Sequence, residues 1–412
     1  MIFQQSSLSD DATQATTILS KELEQELNRL LAYWQTQMTD EVYGGFYGKR
    51  LYDETLVADA PKGVVLNARI LWSFSAAYRH TNNQAYLQTA NRAFDYLRLH
   101  FIDPVYGGVF WSVSFDGKPL DTKKQVYALS FALYAFAEYH RCTFNENAKE
   151  LAIDLFELIE KYSLDKDLGG YIEAFTREWQ LIDDLRLSEK DANEKKTMNT
   201  HLHILEAYTN LYRIYKTESL KNAILHLLFV FDRYIIDKNT HHLILFFDEN
   251  WNRKGSQVSY GHDIEAVWLL SEAAEVINDQ HWTTVMQQHA VKIANASMEG
   301  LDKDGGMWHE YDPATHHLVK EKHWWPQAEA MVGFLHAWQI SADHKFFEQV
   351  FLTWQFIKKY ILDIKNGEWV WGVLNDSSLI ASEDKAGFWK CPYHNSRACM
   401  EVIERIEKRV HS

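Results

Sequence analysis

Two kinds of apolar pattern alternate along the chain. From Ala85 to Phe101, Leu87, Ala90, Phe94, Leu97 and Phe101 recur on one stripe with polar residues opposite, which predicts an amphipathic helix lying on a core. Val64 to Ala77 and Val126 to Tyr139 (VYALSFALYAFAEY) are instead apolar or small almost all round, the pattern of a helix covered by protein on every side. Inner helices of this second kind are predicted to begin near Lys62, Lys123, Thr197, Tyr260, Trp324 and Cys391. Each but the last is followed by an outer helix, and Thr16 to Met38 supplies the first outer one, giving twelve helices in six pairs.

Between the helices a glycine-centred segment returns: VYGGFYG from Val42, VYGGVFWSV from Val105, DLGGYIEAF from Asp167, DGGMWHEY from Asp304 and NGEWVWGV from Asn366. Their first glycines, Gly44, Gly107, Gly169, Gly305 and Gly367, are spaced 63, 62, 136 and 62 positions apart, so one copy is missing from the long gap. It is expected near residue 238, where DKNTHHLILFFDE keeps the aromatic short-strand character without Gly-Gly. Sequential helical hairpins whose apolar inner members must all be covered close into a double ring. The predicted fold class is therefore all-α, an (α/α)6 barrel of six helical hairpins with short β segments in the loops, with residues 1–412 as a single catalytic domain. Two separate helical bundles are the alternative.

Composition narrows the class further. Only 6 Pro and 18 Gly provide too little turn punctuation for an all-β chain of this length. A net charge of −15 is the wrong sign for phosphate backbones or anionic lipid, so neither nucleic acid nor membrane is expected as a partner. Three cysteines, Cys142, Cys391 and Cys399, form neither a disulfide framework nor a CxxC pair, which suits a reducing compartment. The opening MIFQQSSLSD has no basic segment followed by an apolar one, so a cytoplasmic protein is expected. The 15 Trp, 21 Tyr and 22 Phe exceed what a helical core needs, and several Trp lie in polar, Gly-containing segments where rings could face sugars. The polar stretch Arg186 to Lys196 reads as solvated surface or as a lid.

If the inner helices line a ring, polar side chains at their N-terminal ends point into its mouth. Five of the six starts carry such residues: Asn67 and Arg69; Asn199, His201 and His203; His262 and Glu265; Trp325 and Glu329; His394, Asn395 and Arg397. His201 and His203 are two apart, about 200° around a helix, so only one can face the mouth. His262 and Glu265 share a helix face, as do Trp325 and Glu329. A buried Arg69 needs an acidic or oxyanion partner, either one of these glutamates or a ligand.

Several chemistries compete for these residues. HExxH, GxGxxG and GxxxxGK[ST] are absent, which leaves metal, dinucleotide and P-loop sites without support; no cofactor is expected. A glycosidase could use Glu265 with Glu329 but needs no histidines. Histidines near neutrality suit reversible proton transfer, and a pair can address both faces of one carbon. For a reducing sugar that means removing the proton beside the aldehyde, with a fixed cation such as Arg69 to stabilise the enediol oxygens. A non-catalytic carbohydrate-binding protein is the reading of a different class.

At these same residues the chain resembles the N-acylglucosamine 2-epimerase superfamily, most closely its cellobiose 2-epimerases. The likeness runs from VYGGFYG through KGVVLNARILWSFS, KTMNTHLHILEAY, LFFDENW, SYGHDIEAVWLL and HWWPQAEAMVGF to GFWKCPYHNSRACMEV. The resemblance implies the (α/α)6 fold, a small-molecule sugar substrate and no metal or nucleotide in the chemistry; a monomer or weak homodimer is expected. It implies reversible C2 epimerisation of the reducing-end glucose of β-1,4-linked disaccharides through ring opening and a cis-enediol. By the same resemblance His262 and His394 are the two acid/bases, His203 and Arg69 hold O1 and O2, and Glu265 orients His262. Trp325 and Trp389 stack on sugar rings, and Glu329, Asn199 and Phe131 line the pocket. Mannose 2-epimerases and aldose–ketose isomerases of the superfamily share the two-histidine ring and remain open as alternatives.

Overall fold

A computed structural model describes residues 10–410. Residues 1–9, on which most of the cytoplasmic reading rests, and 411–412 lie outside the described residues. Twelve α-helices follow one another: α1 Asp10–Gln37, α2 Val64–Thr81, α3 Gln84–Tyr96, α4 Val126–Thr143, α5 Glu146–Tyr162, α6 Met198–Tyr212, α7 Glu218–Val230, α8 Tyr260–Val276, α9 Gln280–Ser297, α10 Trp324–Ser341, α11 His344–Phe356 and α12 Tyr393–Val410. The even-numbered helices pack in the order α2, α4, α6, α8, α10, α12 and back to α2, closing an inner ring. Each odd-numbered helix lies against an inner one, α1 on α12 and the others on the inner helix just before them. The (α/α)6 barrel is thus the architecture, and the residues that looked apolar all round form its inner wall.

The two ends of the barrel are built differently. Inner-to-outer connections are short, and the outer helices α3, α5, α7, α9 and α11 are each N-capped by a side-chain oxygen, from Asn83, Asn145, Thr217, Asp279 and Asp343. Outer-to-inner connections are long and carry the glycine repeat at the inner-helix N-termini. There the two residues leading into an inner helix pair with a strand of the next unit: Lys62–Gly63 with Ser112–Val113, Lys124–Gln125 with Ala174–Phe175, and Lys196–Thr197 with Phe246–Phe247. Val258–Ser259 pairs likewise with Glu310–Tyr311, and Glu321–His323 with Gly372–Leu374. An isolated bridge from Arg50 to Ala386 joins the last unit to the first. These rungs encircle the mouth.

Buried ion pairs fasten the repeat turns. Two residues before an inner helix, Lys62, Lys124, Lys196 and Lys322 bind Asp40 (2.7 Å), Asp103 (2.9 Å), Asp165 (2.8 Å) and Asp302 (2.6 Å) of the preceding glycine turn. In the sixth unit Lys385–Asp363 (2.6 Å) and Lys390–Glu368 (2.8 Å) do the same work. Glycine is required where the turn meets a helix: Gly45 has φ +62° and a Cβ there would sit 2.5 Å from the Tyr96 ring. The fourth turn does fall at residues 237–242 as the spacing predicts. His241 takes the left-handed conformation there (φ 64°), and Val258 stands where four of the other units have lysine. Asp263 of α8 fastens this turn instead, accepting from Leu243 N (2.8 Å) and pairing with His242 Nδ1 (2.6 Å).

The polar stretch 186–196 lies at the mouth before α6. Lys190 reaches Glu383, in the loop before α12, at 3.8 Å. Since α6 and α12 are opposite members of the ring, this loop crosses the opening.

Candidate active site

Inside the mouth, helical spacing decides which side chains converge. His203 projects inward with its ring centroid 4.7 Å from Phe131 and 5.1 Å from Tyr127, both on α4. His201 does turn the other way. Its Nε2 accepts Tyr171 N (2.9 Å) and its Nδ1 bonds Thr197 O (2.7 Å), which makes it a support of the third repeat turn.

His262 on α8 and His394 on α12 flank one indole: the Trp325 ring centroid is 4.8 Å from His262 and 5.6 Å from His394. Each charge on His203 or His394 opposes a charge on His262, so the three imidazoles share one electrostatic space. Burial pushes His262 and His394 down to about 3 and lowers His203 as well, so all three are neutral near pH 7. A neutral imidazole carries one N–H and one lone pair, so it can give or take a proton.

Their outer nitrogens have different partners. His394 Nδ1 is hydrogen-bonded to Glu329 Oε1 (2.7 Å) and His203 Nδ1 to Glu206 Oε2 (2.8 Å). His262 Nδ1 is hydrogen-bonded to the Ser259 hydroxyl (2.8 Å) at the start of α8. Glu265 was expected to orient His262, and the geometry gives it another partner. It accepts from Arg397 Nη2 at 2.7 Å, because that guanidinium reaches across from α12 and an ionic bond outcompetes a shared helix face.

Arg397 also donates to Glu329 Oε1 (2.7 Å) and to Glu206, and Tyr393 Oη–H donates to Glu206 too. Trp268 Nε1 completes the group on Glu329 Oε2 at 3.2 Å. Burial and the neighbouring Glu329 carboxylate push Glu265 up; at Glu329 the cost of burial is outweighed by Arg397 and His394, which hold it down. Glu265, Glu329 and His394 bring donor atoms within 4.8 Å of one another, a spacing a metal ion could use. The Arg397 guanidinium already supplies the positive charge there.

Arg69 on α2 is 3% exposed and, among the described residues, no carboxylate lies within ion-pairing distance. Its Nη2 donates to Tyr127 Oη at 2.8 Å, its Nε has no partner, and its Cζ lies 4.2 Å from the Phe131 ring centroid. An oxyanion would supply what this guanidinium lacks. Asn199 Oδ1 is likewise buried without a partner. Trp389, just ahead of α12, stands among Trp111, Phe388 and Tyr127 at 5.9, 5.2 and 6.1 Å between ring centroids.

The structure thus brings His203, His262, His394, Arg69, Glu265, Glu329, Trp325 and Phe131 to one end of the ring. Reading the sequence missed Glu206, Ser259, Tyr127, Trp268 and Tyr393 and gave Arg397 no role. Glu206 could have been found, since it stands three residues after His203 as Glu265 does after His262.

Residues 44–398 match the model of the N-acylglucosamine 2-epimerase family. The chain belongs to that family. It is a carbohydrate epimerase, an isomerase, and its named relatives agree. The epimerase is 50% identical to a cellobiose 2-epimerase of Bacteroides fragilis over 94% of this chain and 99% of that one. It is 40% identical to a cellobiose 2-epimerase of Ruminococcus albus, with the same coverage. Its fold superposes on the cellobiose 2-epimerase structure from Spirochaeta thermophila with a TM-score of 0.91 at 37% identity, covering 96% of this chain and 98% of that one. Among its described residues no helix is long and apolar enough to cross a membrane.

Proposed function

We propose that the epimerase interconverts the C2 configuration of the reducing-end glucose of β-1,4-linked disaccharides, cellobiose with glucosyl-mannose and lactose with epilactose. The similarity to named cellobiose 2-epimerases supports the substrate class. The observation that carries the chemistry is the pair of neutral imidazoles flanking Trp325 beside an arginine without a carboxylate.

After ring opening, one histidine takes the C2 proton as the C1 carbonyl becomes an enediol. The other histidine returns a proton to C2 from the opposite face, and C1 becomes a carbonyl again. Arg69 and His203 hold O1 and O2, where negative charge develops. Glu329, an acceptor when ionised, requires hydrogen at His394 Nδ1 and leaves Nε2 bare as the base. The Ser259 hydroxyl can donate or accept, so His262 can present either form. Trp325 and Trp389 offer ring faces to the sugar, with Phe131 and Asn199 completing the wall. The unpaired thiols support a cytoplasmic setting.

Incubation with cellobiose, lactose, glucose and mannose in heavy water tests this directly. Deuterium should appear at C2 of recovered substrate and product, with the disaccharides turned over fastest. Epimerised product without C2 label would remove the proton-abstraction mechanism, and faster turnover of mannose would reassign the substrate.

A further inference from the structure

A single side chain ties together the histidine–carboxylate pairs of two different helices. Arg397 is 1% exposed and bonds Glu206, Glu265 and Glu329, from α6, α8 and α10. Glu206 holds His203 Nδ1, and Glu329 holds His394 Nδ1 at 2.7 Å. Both bonds from Arg397 Nη2 end on Oε1 atoms, and the Glu329 Oε1 that receives one of them is the same oxygen that is hydrogen-bonded to His394 Nδ1.

Three carboxyls buried around one guanidinium cannot all be ionised cheaply without it. A carboxylate accepts only, whereas a carboxylic acid also donates. Were Glu329 to take up a proton, it could donate to His394 Nδ1, and the imidazole hydrogen would then sit on Nε2, the nitrogen facing the ring interior. The base would become an acid.

We propose that Arg397 is a positioning residue that fixes His394, through Glu329, in the tautomer with hydrogen on Nδ1 and a free lone pair on Nε2. This rests on His394 being one of the proposed acid/bases. Other groups face the same centre. Arg69 from α2 and His262 from α8 oppose charge on His394 and its neighbours, and Tyr134 from α4 meets the charges of Glu206 and Arg397. None of them bonds Glu329, so Arg397 and Trp268 are its only partners besides His394 among the described residues.

The test compares Arg397→Met and Arg397→Lys with the unaltered protein, using steady-state kinetics on cellobiose and nitrogen-15 resonance of the His394 ring. Arg397→Met should lose about 10²-fold or more in kcat with KM within about threefold, because Arg397 is buried among its three glutamates. Its residual kcat should climb with pH as Glu329, raised by loss of the guanidinium, gives up its proton, and at the low-pH end its His394 signal should report hydrogen on Nε2. Arg397→Lys, which keeps the charge, should recover at least about tenfold and the original pH profile.

A folded Arg397→Met with near-normal kcat, or with the Nδ1–H tautomer retained, would overturn the proposal. If Arg397→Met does not fold, the unaltered protein still decides. Its His394 must show Nδ1–H throughout the neutral range, and an Nε2–H signal refutes the assignment. Absence of sugar epimerisation in the unaltered protein would instead defeat the reading of the reaction, and the resonance arm would stand apart from it.

Discussion

Two guanidinium groups lie against the same tyrosine ring and have opposite surroundings. Arg69 Cζ is 4.9 Å and Arg397 Cζ 4.2 Å from the Tyr393 centroid. Arg397 is paired with three glutamates through its two Nη atoms; Arg69 meets a phenol, a thiol at 3.9 Å and the face of Phe131. A charge already neutralised by fixed carboxylates can only hold geometry, while a charge left with aromatic neighbours is available to one that arrives or develops. The histidines divide in the same manner: His394 faces a carboxylate and His262 a hydroxyl. One arginine and one histidine are therefore locked by carboxylates, and the other two can respond to a substrate.

The harshest way to break this contrast is to remove the locked histidine, the proposed base. His394→Ala should lower kcat on cellobiose by about 10² to 10⁴-fold, the range for a general acid/base, and a loss below tenfold would show that the carboxylate wall carries no base. Next comes the responsive cation. Arg69→Met should cost about 10² to 10³-fold in kcat/KM, as removal of an oxyanion donor does. Because Arg69 holds no carboxylate but opposes charge on His203 and His394, Arg69→Met should move only the acid limb of the profile, to higher pH; a change like that of Arg397→Met would erase the distinction between the two arginines.

Smaller again is the hydroxyl anchor. Ser259→Ala removes a neutral hydrogen bond of about 1 kcal/mol, so kcat should fall only about fivefold. A loss as deep as that of His394→Ala would mean that both histidines are locked.

The last effect is on stability. His262 and His394 are held at about 3 in the folded chain, against an ordinary value near 6.5 when unfolded. Between those values the unfolded chain binds protons that the folded one refuses, so these two groups make Tm fall as pH drops from about 6.5. His262→Asn should flatten part of that slope in calorimetry across the acid range, and an unchanged slope would place His262 in a solvated setting.

How far the sequence could be read follows from where each signal resides. The ring was legible because its inner helices are apolar all round, and a polar residue such as Arg69, His262 or His394 is conspicuous there. That only one of His201 and His203 could face inward followed from helix geometry, although which of the two it was did not. Partners supplied by another helix were invisible: nothing local tells that Arg397 binds Glu206 nearly two hundred residues away, and so Glu265 was matched with its near neighbour His262. Nothing local marks Lys62 and Lys124, yet both are wholly buried against Asp40 and Asp103, because the lysine and its aspartate meet only when the glycine turn folds back. Trp389 and Phe131 came from resemblance alone, since one aromatic residue among 58 has no distinguishing period.

The hairpin rungs that run from each unit to the next, and from Ala386 back to Arg50, have an arithmetic consequence. An open helical array can gain or lose a repeat at its end; a loop of six cannot. With five members its bore would shrink, with seven it would widen, and either way His262 and His394 would no longer meet across Trp325. Copy number is thereby as much a part of the chemistry as any side chain.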